Sequence, residues 1–100
     1  MTSQRRRVRV TDAFFEQLDQ QLGPDRGPDG QPSATDFLVI ELPAAVERFA
    51  TGFDDLPEII DGFHGGRMLI APGVLVRAIA LYDLLMTDHA IEIIGVELDL

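Results

Sequence analysis

Few residues in this chain are of types that carry chemistry. The only imidazoles are His64 and His89. His64 lies in the segment FHGG, three residues before Arg67, which makes it readable as a general base held in a loop beside a cation. The plainer reading is an exposed turn residue, and the same applies to His89. Neither has Asp or Glu at a consistent ligand spacing, so no metal and no cofactor is expected. The absence of cysteine removes thiolate nucleophiles, disulfides and cysteine metal sites. Ser3 and Ser33 are the only serines, and neither stands in a context that suggests a hydrolase nucleophile. Gly65-Gly66 alone is too little to form a phosphate-cradling loop.

Charge narrows the partners. The net is −9, and all eight basic residues are arginine, with no lysine. Four of them (Arg5, Arg6, Arg7 and Arg9) fall in the first nine residues, so the other 91 carry four arginines against 17 acids, a net of −13. Such a body repels a phosphate backbone, and strong nucleic-acid binding is not expected. The arginine-rich start reads as a solvated strand face, or one that pairs with the chain's own acids. Asp54-Asp55 and Glu58 with Asp61 either attract a basic partner or form the solvated end of a helix.

These groups must be positioned by a small fold. One hundred residues make a single domain, spanning 1–100. No apolar run approaches the roughly 20 residues that cross a bilayer. The basic start is not followed by the apolar stretch of a secretory signal, and a cytoplasmic location is expected. Alternation at residues 5–10 predicts a half-buried strand. Thr11 or Asp12 then caps a helix, TDAFFEQLDQQL, with Phe15, Leu18 and Leu22 at helical spacing and Phe14 widening the face. The stretch 23–33 holds three Gly and three Pro and reads as a loop. Ser33 and Asp36 form the pattern of a capping box. Leu38, Leu42, Ala45, Phe49, Phe53 and Leu56 keep one apolar face, which predicts a long helix kinked at Pro43. The rival is a strand at FLVIEL followed by a shorter helix that starts at Pro43.

The second half reads as three strands, 67–71, 74–83 and 91–98. A type II turn at Pro72-Gly73 and a hairpin turn at Asp88-His89 join them. Gly95 inside the last strand implies a bulge or a close backbone approach. Val74, Val76, Ala78 and Ala80 alternate with Leu75, Ile79 and Leu81, so both sheet faces are apolar. Two helices cover only one face, and the other is free to meet a partner. Arg77 stands alone among apolar neighbours. Its charge must reach solvent, a ligand or a carboxylate such as Glu92 or Glu97.

The segments VRVTDAFFEQLDQQL, DFLVIELPAAVERFATGFDDLP, GGRMLI, PGVLVRAIALYD and IEIIGV together resemble the RelE/ParE superfamily of type II toxins, over Arg7 to Leu98. The resemblance implies an α+β fold of β-α-α-β-β-β order, with a four-stranded antiparallel sheet and two helices on one face. It implies an antitoxin protein as partner. In the ribonuclease branch, basic groups steady charge at a scissile phosphate on the ribosome. On that resemblance the catalytic candidates are Arg67, Arg77 and Tyr82, with His64 beside them. This chain departs from that branch. Five residues separate Arg77 from Tyr82 where the family has a close Arg-x-x-Tyr, and the last strand ends in acids. The gyrase-inhibiting ParE branch needs no such set. The resemblance therefore implies a toxin-fold component that binds an antitoxin and, if active, inhibits a protein such as DNA gyrase. The alternatives are a non-catalytic protein-interaction module on the same fold and a ribosome-dependent mRNA endoribonuclease. Val74, Val76, Arg77, Asp54 and Asp55 are the partner-binding candidates.

Overall fold

The computed structural model describes residues 5–100. Strand β1 (Val8–Val10) leads into helix α1 (Asp12–Gln21). Thr11 makes that junction. Its hydroxyl accepts the Phe14 amide at 3.3 Å, a standard N-cap, and donates to the Ile93 carbonyl at 2.8 Å, which ties the helix start to the sheet.

The second helix, α2, covers 34–52 without a break. It starts as an α turn at Ala34–Asp36, passes through a π segment at Phe37–Glu41 and continues as α-helix over Leu42–Gly52. The capping box is present: Ser33 Oγ accepts the Asp36 amide at 3.1 Å, and Asp36 accepts the Ser33 amide at 3.0 Å. FLVIEL is therefore helix and not strand. Pro43 explains the π segment, because proline cannot donate to the Val39 carbonyl and its ring crowds that position. The Leu42 amide instead reaches back five residues to Phe37, and the extra residue absorbs the conflict. The insertion also rephases the helix. Ala45, Phe49 and Phe53 are buried as their spacing predicts, but at the π segment Phe37 and Glu41 are the buried residues, while Leu38 and Leu42 pack half-buried against the core. A short 3₁₀ turn, Phe53–Asp55, ends α2.

Strands β2 (Gly66–Pro72), β3 (Ala78–Leu85) and β4 (Ile91–Asp99) form an antiparallel meander, and the sheet order is β1-β4-β3-β2. The expected all-antiparallel sheet is corrected: β1 pairs with β4 in parallel, so the sheet is mixed. The pairing sets Val8 against Ile91 and Val10 against Ile93, and between them places Arg9 opposite Glu92 with 2.9 Å between the charged groups. Apolar stacking and one ion pair thus fix β1 beside β4, and the helices supply the crossover that a parallel pair requires.

Three further expectations are corrected. The first strand covers three residues and not 5–10. Phe15 is 38% exposed, while Phe14, completely buried, fills the core position. The third strand begins at Ala78 and not at 74, because Pro72-Gly73 opens a loop over 73–77 and does not make a tight turn. The Asp88-His89 turn is as expected. The Met86 amide donates to the Ala90 carbonyl at 2.8 Å, and His89 takes a positive φ of 67°.

The core lies on one sheet face, where Leu69, Leu81, Val96, Ile91 and Ile93 meet Phe14, Leu18, Phe37, Phe49 and Phe53. Beyond Ile93, β4 has no strand on its β1 side among the described residues. Two glutamines one helical turn apart on α1 take that place. Gln17 donates to the Ile94 carbonyl and accepts the Val96 amide, at 3.3 and 3.0 Å, and Gln21 does the same for Val96 and Leu98, both at 2.8 Å. Ile94 is an extra residue in the β3–β4 register, which is the bulge that Gly95 implied. A Cβ at Gly95 would lie 3.1 Å from Gln17 Oε1 and 3.3 Å from the Tyr82 ring. Gly95→Val should therefore cost about 1–3 kcal/mol in urea denaturation by forcing the glutamine clamp off the strand.

Candidate functional site

The four proposed catalytic side chains do not converge. Arg67 is buried at the start of β2. Its guanidinium donates to the carbonyls of His64, Asp54 and Leu56, each at 2.9 Å, and lies over the Phe53 ring. It serves as an internal cap on the end of α2, and with only 9% of the residue exposed it is poorly placed to meet a surface substrate. Tyr82 pairs across the sheet with Met68, so it stands on the opposite face from Arg67, whose partner is Asp83.

Arg77 is exposed in the loop before β3 and not in a central strand. Its backbone is engaged, the amide donating to the Asp99 carbonyl at 2.8 Å. No carboxylate pairs with its side chain among the described residues. Of the outlets named for its charge, solvent is the one observed: Arg77 forms no ion pair with Glu92 or Glu97 among the described residues, and Glu92 is taken by Arg9.

His64 is exposed, and its Nδ1 faces the Glu58 carboxylate. Glu58 also accepts the Gly62 amide at 3.1 Å; this bond and the facing imidazole hold its carboxyl below the usual range. A carboxylate-oriented imidazole is the start of a general base, but the nearest arginine, Arg67, is spent on carbonyls. Among the described residues no group of three His, Asp or Glu can hold a metal.

The N-terminal arginines are answered one by one. Arg5 pairs with Glu47 at 2.6 Å, Arg6 with Asp54 at 3.3 Å, Arg7 with Asp88 at 3.3 Å, and Arg9 with Asp88 at 2.8 Å as well as with Glu92. The strip pairs with the chain's own acids, as the plainer sequence reading held. Ser3 lies outside the described residues. Asp54 and Asp55 are both exposed, with Asp54 committed to Arg6.

Of the apolar partner candidates, Val74 is 80% exposed while Val76 is only 6% exposed and sits in the core. Val76 is corrected as a surface contact. The loop that separates them is built on a residue the sequence reading missed. Glu41, turned inward by the π segment, accepts the amides of Val74 and Leu75 at 2.9 Å and of Val76 at 3.4 Å. Charge-assisted bonds to three successive amides outcompete strand pairing there, which is why an apolar run that reads as strand is loop up to Arg77.

Asp83 was missed as well. It is completely buried opposite Arg67, and neither carboxylate oxygen makes a hydrogen bond of good geometry. Burial pushes its carboxyl up to about 7, against the pull of the Arg67 backbone and charge.

The surface feature left over is the second sheet face. By alternation Met68, Ile70, Ala80, Tyr82 and Leu84 point away from the core, and Ile70 is 64% exposed. Glu97 lies opposite Ala80 and Asp99 opposite Ala78, both exposed and without an arginine among the described ion pairs. This is an apolar platform with an acidic edge. Among the described residues no helix is long and apolar enough to cross a membrane. Comparison with protein-family models, curated proteins and solved structures gives no match for the chain.

Proposed function

We propose that this chain is the toxin-fold component of a type II toxin–antitoxin module and works by binding proteins, not by cutting RNA. The observation that carries the binding half of this reading is the second sheet face, where apolar Ile70, Ala80 and Met68 meet the acidic edge of Glu97 and Asp99. An antitoxin segment with an apolar face and basic flanks complements it in both respects. The separation of Arg67, Arg77, Tyr82 and His64 argues against an assembled ribonuclease centre. The toxin half rests on the sequence resemblance, and the target of an active toxin is then a protein such as DNA gyrase.

Growth is the test. Expression of the chain alone should arrest bacterial division, and co-expression of the adjacent small reading frame should relieve the arrest. Ile70→Glu with Ala80→Glu should abolish the relief. Normal growth at verified soluble expression would leave the second reading, a non-toxic interaction module on the same platform. Ribosome-dependent cleavage of messenger RNA by purified protein would overturn both.

A further inference from the structure

Away from the sheet platform, a groove of about 330 Å³ opens between α2 and the sheet's core side. Ile40, Ala44 and Arg48 form its helical wall, Leu69, Ala71, Ile79 and Leu81 its floor, and Val74 closes one end. Its lining is apolar except for two charged side chains, Glu41 and Arg48, and these differ sharply in how they are held.

Glu41 is buried, and its carboxylate is taken up by three loop amides. It is fixed, negative and unavailable. Arg48 is exposed, and among the described residues the only hydrogen bond of its side chain is a long one, 3.4 Å, to the Gly52 carbonyl one turn along its own helix. Every other exposed or half-exposed arginine among the described residues except Arg77 has a carboxylate partner. In a chain with 17 acids and eight arginines, a guanidinium free of acids at the mouth of an apolar groove is an unmet demand for an anion. The two charges stand seven residues apart on one helix, on the order of 10 Å along its axis. The groove is thus polarised, anion-accepting at the Arg48 end and anion-repelling at the Glu41 end.

We propose that this groove binds a small amphipathic monocarboxylate, with its carboxylate on Arg48 and its alkyl or aryl body lying over Ala44, Leu69 and Ala71 toward Val74. The volume falls within the range of small-ligand sites. The apolar floor rewards burial of a hydrocarbon body. Glu41 fixes the direction, because a carboxylate placed at its end would meet a pinned negative charge. This inference is independent of the toxin reading.

Octanoate, octanol and octylamine serve as probes, in titrations of the whole isotope-labelled protein followed by amide NMR shifts. Octanoate should move the amides of Ala44, Ala45, Arg48, Leu69 and Ala71 in one saturating process. Octanol should bind on the order of tenfold more weakly, the worth of one exposed charge-assisted pair, and octylamine more weakly still. Arg48→Gln should bring octanoate down to the level of octanol while leaving the melting temperature unchanged. Ala44→Leu, which fills the wall, should weaken both. Absence of saturable shifts in the groove with octanoate would overturn the proposal, as would octanol or octylamine binding as tightly as octanoate, or octanoate binding that survives Arg48→Gln unchanged.

Discussion

Replacing Asp83 by Asn should remove an ionisation penalty of roughly 3–4 kcal/mol at pH 8 but only about 1–1.5 kcal/mol at pH 5, so its benefit grows with pH. The side chain is buried opposite Arg67, whose guanidinium is committed to carbonyls at the end of α2, so ionised Asp83 forms no ion pair with it and the pull of Arg67 does not offset burial. Its carboxyl is pushed up to about 7, whereas an unfolded Asp ionises near its ordinary value of about 3.9. Between those two values the native chain keeps a proton that the unfolded chain has released. Stability therefore falls as pH rises through this window and levels off once both states are ionised. The acids with depressed values behave in the opposite sense. Asp36, pulled down to about 2 chiefly by its hydrogen bond from Arg26, and Glu47, Glu58 and Asp88 contribute stability above the ordinary carboxylate range that is lost as pH falls below it. The difference between wild type and Asp83→Asn, measured by urea denaturation from pH 5 to 8, isolates the buried group from the histidines. An identical pH slope in both proteins would show that Asp83 is not the source.

Glu41→Ala should cost about 2–4 kcal/mol, because it leaves the amides of Val74, Leu75 and Val76 without their acceptor. Glu41→Gln keeps one carbonyl oxygen for them and should lose less. The damage should be local as well as global. In hydrogen exchange, the amides at 74–76 should lose protection in Glu41→Ala while those of Leu81 and Val96 are slowed in proportion to the remaining global stability. A Glu41→Ala protein within about 0.5 kcal/mol of wild type, the scatter of ordinary surface changes, would mean that the loop holds itself.

How far the sequence disclosed this molecule depends on whether a feature is written in local pattern. The capping box at Ser33 and Asp36, the continuous helix through Pro43, the hairpin turn at His89 and the bulge at Gly95 are all consequences of near neighbours, and all are legible. Alternation and turn chemistry are also local. The direction of β1 against β4 is a contact across some eighty residues, settled by Arg9 meeting Glu92, and periodicity cannot report it. The run from Val74 to Arg77 failed for a related reason. Its composition suits a strand, but an acid 33 residues earlier captures its amides. The π segment was foreshadowed by the proline, yet its effect on phase was not: Phe37 and Glu41 became the buried residues, and Leu38 and Leu42 kept only half-buried contact with the core. Arg67 and Arg77, equally suggestive as isolated letters, prove to be a buried cap and a loop residue.

The glutamine clamp on β4 has a consequence for assembly. Side-chain amides from Gln17 and Gln21 occupy the backbone groups that another strand would need, and β1 presents only three residues beyond them. At the opposite margin, β2 is covered up to Met68, whose amide donates to Pro57. Pro57 has no N–H to return the bond, so the margin is free from the Met68 carbonyl onward. Two copies that pair through this free margin cover it in both, and only the clamped margins then remain outside. Misassembly of this protein through its strands is thereby held to closed pairs, and the open-ended stacking that leads to fibres is blocked at the clamped side.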